Sequence, residues 1–235
     1  AVAEELGVDA SHIENLAPCT AAQEGMVFRF LDSEEALYFS TFEFELAEDV
    51  DVEKLKNAWK TVAGKLEVLR MKFVMTDAGI AQVVLRNVVL PFSVDKETTA
   101  FVDMEKNEAL ANPWKVAILN DKKLMKLDIF HGLYDGVALP LLMQQVANAC
   151  NYKDINSGPS FLSCLPHGPL ATGEGAKEFW TKTLEDAQHT PLPELYSTEK
   201  RDDIVLTKST AGESEVDMVN IKTACDHCLV RASGS

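Results

Sequence analysis

The chain has 235 residues, 46% of them apolar, with 12 glycines and 9 prolines: enough to bury one sizeable core or two small ones, and too apolar for a disordered tail. Its 37 acids against 22 bases give a net charge of −15, so a nucleic-acid backbone or an anionic membrane would be repelled by most of the surface. No apolar run approaches the roughly eighteen residues that span a bilayer, and Ala1 to Gly7 carries two acids instead of the basic head of a signal peptide. The expectation is a cytoplasmic protein, or a piece of a longer one, with no nucleic-acid or membrane partner.

Residues 1–26 form a leader in which Pro18-Cys-Thr-Ala-Ala-Gln23-Glu-Gly25-Met26 opens a short helix. From Leu37 to Leu46, Tyr38, Ser40, Phe42, Phe44 and Leu46 alternate with Thr41, Glu43 and Glu45, the period of a half-buried strand. Asp51 caps a helix whose apolar positions Val52, Leu55, Trp59, Val62, Leu66 and Leu69 step by three and four, ending near Arg70. Met71–Met75 and Ile80–Leu85 flank Asp77-Ala-Gly79 as a hairpin, with a third strand through Val88–Phe92. A helix capped by Thr98 or Thr99 runs to Leu110 and stops at Asn112-Pro113. Val116–Leu119 and Leu124–Phe130 then meet across Asn120-Asp121, and Gly136–Asn151 carries the apolar pattern of a buried helix.

Ser157 to Gly175 reads as a surface connection rich in Gly, Pro and Ser, followed by a helix over 176–187 with Phe179, Trp180 and Leu184 on one stripe. Pro191 and Pro193, a strand at Ile204–Thr207 and a polar loop at Ser209–Ser214 come next, and Val216–Val230 begins another helical pattern before the sequence stops, as in an excised fragment. Strands and helices alternate without the regular spacing of a doubly wound sheet, so the fold class is α+β, a mixed sheet with helices packed on it.

The five cysteines, Cys19, Cys150, Cys164, Cys225 and Cys228, are odd in number and scattered, which suits a reducing compartment and not a disulfide scaffold. Cys225-Asp-His-Cys228 has the spacing of half a zinc site, but no second pair lies at usable distance, so no metal is expected. The informative string is Ile129-Phe-His131-Gly-Leu-Tyr-Asp135-Gly136-Val137: a strand ends at a histidine, an aspartate turns the chain and a glycine opens the next helix. An imidazole, with a reference pKa near 6.5, can take a proton from an incoming nucleophile, whereas the bland reading is a strand-end histidine and an ordinary helix entry. There is no Gly-x-Ser-x-Gly elbow, no phosphate loop and no His-Glu-x-x-His.

Three segments in order, Pro18-Cys-Thr-Ala-Ala-Gln23-Glu-Gly25-Met26, Leu66-Glu-Val-Leu-Arg70-Met71-Lys-Phe73 and His131-Gly-Leu-Tyr-Asp135-Gly136, resemble the first three core motifs of the condensation domains of nonribosomal peptide synthetases. Tyr152-Lys-Asp and Phe179-Trp180 extend the resemblance, and the opening segment is similar to fungal members, of the hydroxamate-siderophore synthetase type. The resemblance implies a domain of two lobes, each like chloramphenicol acetyltransferase, with a tunnel between them. Residues 1–190 would be the N-terminal lobe, and 191–235 a crossover linker and the start of a truncated C-terminal lobe.

Its partners would be donor and acceptor carrier protein domains and its own C-terminal lobe. No cofactor would be bound directly, phosphopantetheine being presented by the carriers. His131 would take the place of the active histidine that serves the acceptor amine. Gly136 would offer its backbone N–H near the reacting carbonyl, and Asp135 would be structural, ion-paired with Arg70. The sequence departs from the family pattern at Phe130, where a first histidine is usual, and at Leu66 and Met71. The fragment alone would be inactive. Two other readings stand beside this acyltransferase: a non-catalytic carrier-docking module, which Phe130 would permit, and a stand-alone acetyltransferase, disfavoured because such enzymes keep the motif near their C-terminus.

Overall fold

The computed structural model describes residues 2–87, 89–94, 100–119, 121, 123–168 and 175–187, together with the backbone of a strand at 229–234. A short helix α1 (Val2–Glu5) leads to strand β1 (Ile13–Pro18) and helix α2 (Ala21–Asp32). The order continues β2 (Phe39–Leu46), α3 (Val52–Lys65), β3 (Met71–Thr76), β4 (Gly79–Leu85), β5 (Phe92–Val94), α4 (Lys106–Ala111), β6 (Trp114–Leu119), β7 (Leu124–Phe130), α5 (Ala138–Cys150), α6 (Phe161–Cys164), α7 (Ala176–Thr183) and β8 (Leu229–Gly234). These form two sheets, β1-β4-β3 and β5-β6-β7-β2-β8, antiparallel throughout except for the parallel pair β5–β6.

Period-two alternation decides which face of the larger sheet is dry. Ser40, Phe42 and Phe44 stand opposite Ile129, Leu127 and Met125, which in turn stand opposite Trp114, Val116 and Ile118. This face is covered by α3, which packs against α5. Trp59 of α3 stacks on Trp114 with ring centroids 5.7 Å apart, and the Trp114 indole N–H donates to the Leu69 carbonyl at 2.8 Å. The stripe read along α3 is therefore real, with Leu55, Trp59 and Val62 fully buried.

The opposite face is polar along most of its length, with Thr41 donating to Asp128 at 2.5 Å and Lys126 beside Glu43 at 3.6 Å. At the Phe39–Phe130 end it turns aromatic. Phe130, with no exposed surface, packs against Phe39, Phe73 and Phe30 at centroid separations of 4.9, 5.3 and 6.4 Å. Position 130, where a histidine was the family expectation, is thus a core position in this chain.

Several expectations need correcting. The leader contains β1, an edge strand whose Pro18 falls at its last residue, where the missing N–H costs the ladder least. The strand read from Leu37 starts at Phe39 because Tyr38 adopts a left-handed backbone with φ of 66°. The third strand lies at Phe92–Val94, and the helix read from Thr98 starts at Lys106 after a 3₁₀ turn at Phe101–Asp103. Within the glycine- and proline-rich connection, α6 and the following 3₁₀ turn bury Leu162 and Leu165, so part of it belongs to the core. Leu229 and Val230 are strand, not helix: β8 pairs antiparallel with β2. The expected features at 95–99, Asn120, 169–174 and 188–228, the Cys225–Cys228 pair included, lie outside the described residues.

Among the described residues the tightest glycine is Gly132. A Cβ there would lie 2.5 and 2.9 Å from two atoms of the Phe130 ring and 3.2 Å from Phe73, whereas at Gly136 it would meet nothing within 4 Å. Gly132→Ala should therefore cost about 1–3 kcal/mol through forced repacking, while Gly136→Ala should stay within about 0.5 kcal/mol. Urea unfolding of the two variants checks this; the opposite order would contradict the packing.

Candidate active site

β7 delivers His131 at its end. The His131 backbone N–H donates to the Tyr38 carbonyl at 2.7 Å, so the left-handed turn at Tyr38 carries the β2–β7 ladder one residue beyond the strand. Residues His131–Leu133 then form a single 3₁₀ turn. The His131 ring is half-buried, and its Nδ1 lies 2.8 Å from the Tyr134 carbonyl. A carbonyl oxygen can only accept, so Nδ1 is the protonated nitrogen, and in the neutral ring Nε2 keeps the lone pair. That is the tautomer a general base needs.

Tyr134 lines the ring at a centroid distance of 4.8 Å and stands edge-on to Phe42 at 5.6 Å. Burial pushes its phenol above the ordinary tyrosine range, so the hydroxyl stays protonated at neutral pH.

Asp135 is exposed and turns toward the backbone. Its carboxylate accepts from the N–H groups of Val137 at 2.9 Å and Ala138 at 2.7 Å, satisfying two donors at the start of α5. Those bonds, the one from Ala138 first, hold its carboxyl below the usual range. Gly136 is likewise exposed, so His131, Asp135 and Gly136 lie along one turn at a strand-to-helix junction.

Arg70 is elsewhere. Its guanidinium, with only 8% of the side chain exposed, pairs with Glu14 through Nη1, donates from Nη2 to Glu14 Oε1 at 3.3 Å and donates to the Leu85 carbonyl. The expected Arg70–Asp135 pair is thus replaced by Arg70–Glu14, because the 3₁₀ turn at Glu67–Arg70 feeds the β1-β4-β3 sheet instead of the β7–α5 junction. Asp135 is exposed, and the backbone bonds from Ala138 and Val137 outweigh its desolvation, so it needs no guanidinium.

The residues that secure the turn were not singled out from sequence. Gln23 Nε2 donates to the Gly132 carbonyl and to Gln82 Oε1, both at 3.2 Å. Its Oε1 accepts from Thr20 N at 3.0 Å and Thr20 Oγ1 at 3.1 Å. Gln82, wholly buried, donates onward to the Pro18 carbonyl at 2.9 Å. Thr20-x-x-Gln23 has the spacing of a capping box, a signal present in the sequence, and the box forms at the start of α2.

Cys19, buried beside this network, has its thiol pushed up to about 12 by burial, which removes it as a nucleophile. Among the described residues Cys19 and Cys164 belong to no disulfide, no group of three or more His, Cys, Asp or Glu could hold a metal ion, and no helix is long and apolar enough to cross a membrane.

The Arg70–Glu14 pair makes a pH prediction. Arg70's hydrogen bond holds the Glu14 carboxyl below its ordinary range. The stability it contributes is complete above the ordinary glutamate value near 4.3 and is lost as pH falls through the lower folded value. Wild type should melt above Glu14→Gln at neutral pH by an amount that shrinks between about pH 5 and pH 3. A difference that stays constant over that interval would show that the carboxylate is not stabilised by the pair.

A family model for the condensation domain matches residues 13–227. The chain is 37% identical over 206 residues to nonribosomal peptide synthetase sidC of Arthroderma benhamiae, covering 82% of this chain and 4% of that protein. It is 36% identical over 235 residues to nonribosomal peptide synthetase 2 of Cochliobolus heterostrophus, covering 93% and 4%. The chain therefore spans only a few per cent of the length of these relatives. Its fold is similar to the condensation domain from the monacolin K polyketide synthase MokA, with a TM-score of 0.62 at 14% identity over 76% of this chain and 44% of that one. It is also similar to the starter condensation domain of rhizomide synthetase RzmA, with a TM-score of 0.59 at 15% identity over 76% and 49%. With a family match across most of its length, the chain belongs to the condensation domain family.

Proposed function

We propose that this chain is the N-terminal half of a condensation domain that joins a carrier-bound aminoacyl or peptidyl thioester to an acceptor amine. The observation that carries the reading is the His131 Nδ1–Tyr134 carbonyl contact, which leaves Nε2 as the proton acceptor. In the reaction, the acceptor nitrogen attacks the thioester carbonyl carbon while its proton passes to Nε2. The carbon–sulfur bond then breaks, the amide forms, and the departing phosphopantetheine thiol takes the proton back. Gly136 is exposed on the same turn, and its backbone N–H would face the developing oxyanion. Asp135 anchors the turn through α5 and stays out of proton transfer.

Residues 1–190 would form the first lobe and 191–235 a crossover toward the second, with strand β8 at the edge of the first lobe's larger sheet. Val137 and Leu141, one turn apart beside the site, are 72% and 60% exposed, an apolar pair suited to cover by that second lobe. Donor and acceptor carrier proteins would bring their arms to the junction, and fungal relatives at 36–37% identity support a fungal synthetase, of the siderophore type, as parent. A docking module without catalysis draws no support from Phe130, since that side chain is core packing turned away from any ligand.

One lobe leaves the thioester open to water and the acceptor unheld, so the fragment alone should be inactive. In the two-lobed domain, His131→Ala should lower amide formation by about 10²–10⁴-fold without loss of carrier binding. A single-turnover assay from a loaded donor carrier, run on the fragment, the two-lobed domain and its His131→Ala form, checks both expectations. Robust turnover by the fragment or undiminished turnover by the variant would contradict the reading.

A further inference from the structure

The side-chain amide of Gln23 spends all its hydrogen-bonding capacity. Its oxygen takes two bonds from Thr20 and its nitrogen gives one to Gln82 and one to the Gly132 carbonyl. Its orientation follows from the partners. Reversed, it would set its nitrogen against the Thr20 N–H and its oxygen against the Gly132 carbonyl, two repulsive contacts in a site where Gln23 is 6% and Gln82 0% exposed. A network of this kind is rigid when complete and costly when broken.

Its reach matters more than its strength. Gln23 stands 109 residues from Gly132 in sequence, on a different element, yet it grips the Gly132–Leu133 peptide, one peptide beyond the bond that joins His131 to Gly132. The turn has three fixed points. Tyr38 holds the His131 N–H, the Phe130 and Phe73 rings leave no room beneath Gly132, and Gln23 holds the Gly132 carbonyl. With that peptide held, the next carbonyl but one, that of Tyr134, lies under Nδ1.

We propose that Gln23, braced by Gln82, is a positioning residue for His131: by holding the Gly132 carbonyl it shapes the turn that fixes the imidazole tautomer with Nε2 as the proton acceptor. The catalytic meaning rests on the reading of His131 as the base; the tautomer does not. The most direct perturbation is Gln23→Glu, isosteric with the native side chain. It keeps an acceptor toward Thr20 but turns a carboxylate oxygen on the Gly132 carbonyl. Gln23→Met removes the donor without adding charge, and serves if the glutamate variant fails to fold. Val62→Ala, in the α3 core and away from the turn, matches the loss of stability.

Long-range proton–nitrogen correlation spectra of the 235-residue chain at about pH 8–9, above the usual histidine range, read the His131 tautomer, with His131→Gln assigning the signal among five histidines. Wild type and Val62→Ala should show one tautomer, Nδ1–H, and both Gln23 variants a mixture. In the two-lobed domain the Gln23 variants should lose about a hundredfold in kcat, the scale of a misplaced catalytic group, with KM for the carriers little changed. Retention of the pure Nδ1–H tautomer in both Gln23 variants would overturn the proposal. A mixed tautomer with undiminished kcat would uphold the positioning and overturn the role of His131 as base.

Discussion

A histidine serves as a base only if the right nitrogen is free, and here one hydrogen bond decides which it is. The Tyr134 carbonyl accepts from Nδ1 of His131, and carbonyls never donate. Much of the local structure is arranged so that this carbonyl lies in place. β7 ends one residue earlier, Tyr38 extends the ladder by a backbone bond, and Asp135 turns the chain into α5 by capping two of its free N–H groups. Left-handed backbone at a tyrosine is costly, of the order of 1–2 kcal/mol. Its occurrence at the residue that holds His131 places local strain at the site, with the surrounding sheet sustaining it.

The site also shows how burial sorts polar groups. Arg70 is buried and cannot go unpaired, so it is served by Glu14 and the Leu85 carbonyl, the acceptors within reach of its own sheet. Asp135 is exposed and bonded to backbone N–H groups, so it makes no demand on a distant arginine. An ion pair between them would need Arg70 to leave Glu14 or Asp135 to leave the N–H groups at the start of α5. Buried Gln23 follows the same logic: an amide whose two donors and two acceptors are all met can stay in an apolar core, and it then couples the strand it touches to the helix that carries it.

The elements with strict periodicity were legible in the sequence. The alternation through Phe42 and Phe44, the three-and-four stripe of α3 and the hairpin at Asp77–Gly79 each reflect a burial pattern that the residues themselves encode. β1 was not, because Glu14, Asn15 and Pro18 mask the alternation of an edge strand. His131, Asp135 and Gly136 were found because their residue types carry chemistry and sit at a strand end. What supports them was hidden for physical reasons. Gln82 is polar inside a strand that otherwise reads as apolar, and its partner lies 59 positions away. Gly132 looks like a spacer until the Phe130 ring beside it is seen. The Phe130 departure, read as weakness at the site, is a matter of core packing, since alternation sends residue 130 to the face opposite Ile129.

The measurement that bears most directly on this account is the tautomer of His131 in the unmodified chain, taken from its ring-nitrogen shifts at about pH 8–9, where an ordinary imidazole is neutral. A proton on Nδ1 and a free pair on Nε2 is the result predicted by the Tyr134 carbonyl. A proton on Nε2 would mean that the turn does not hold the ring as described, and would remove the physical basis for His131 as the base of the condensation.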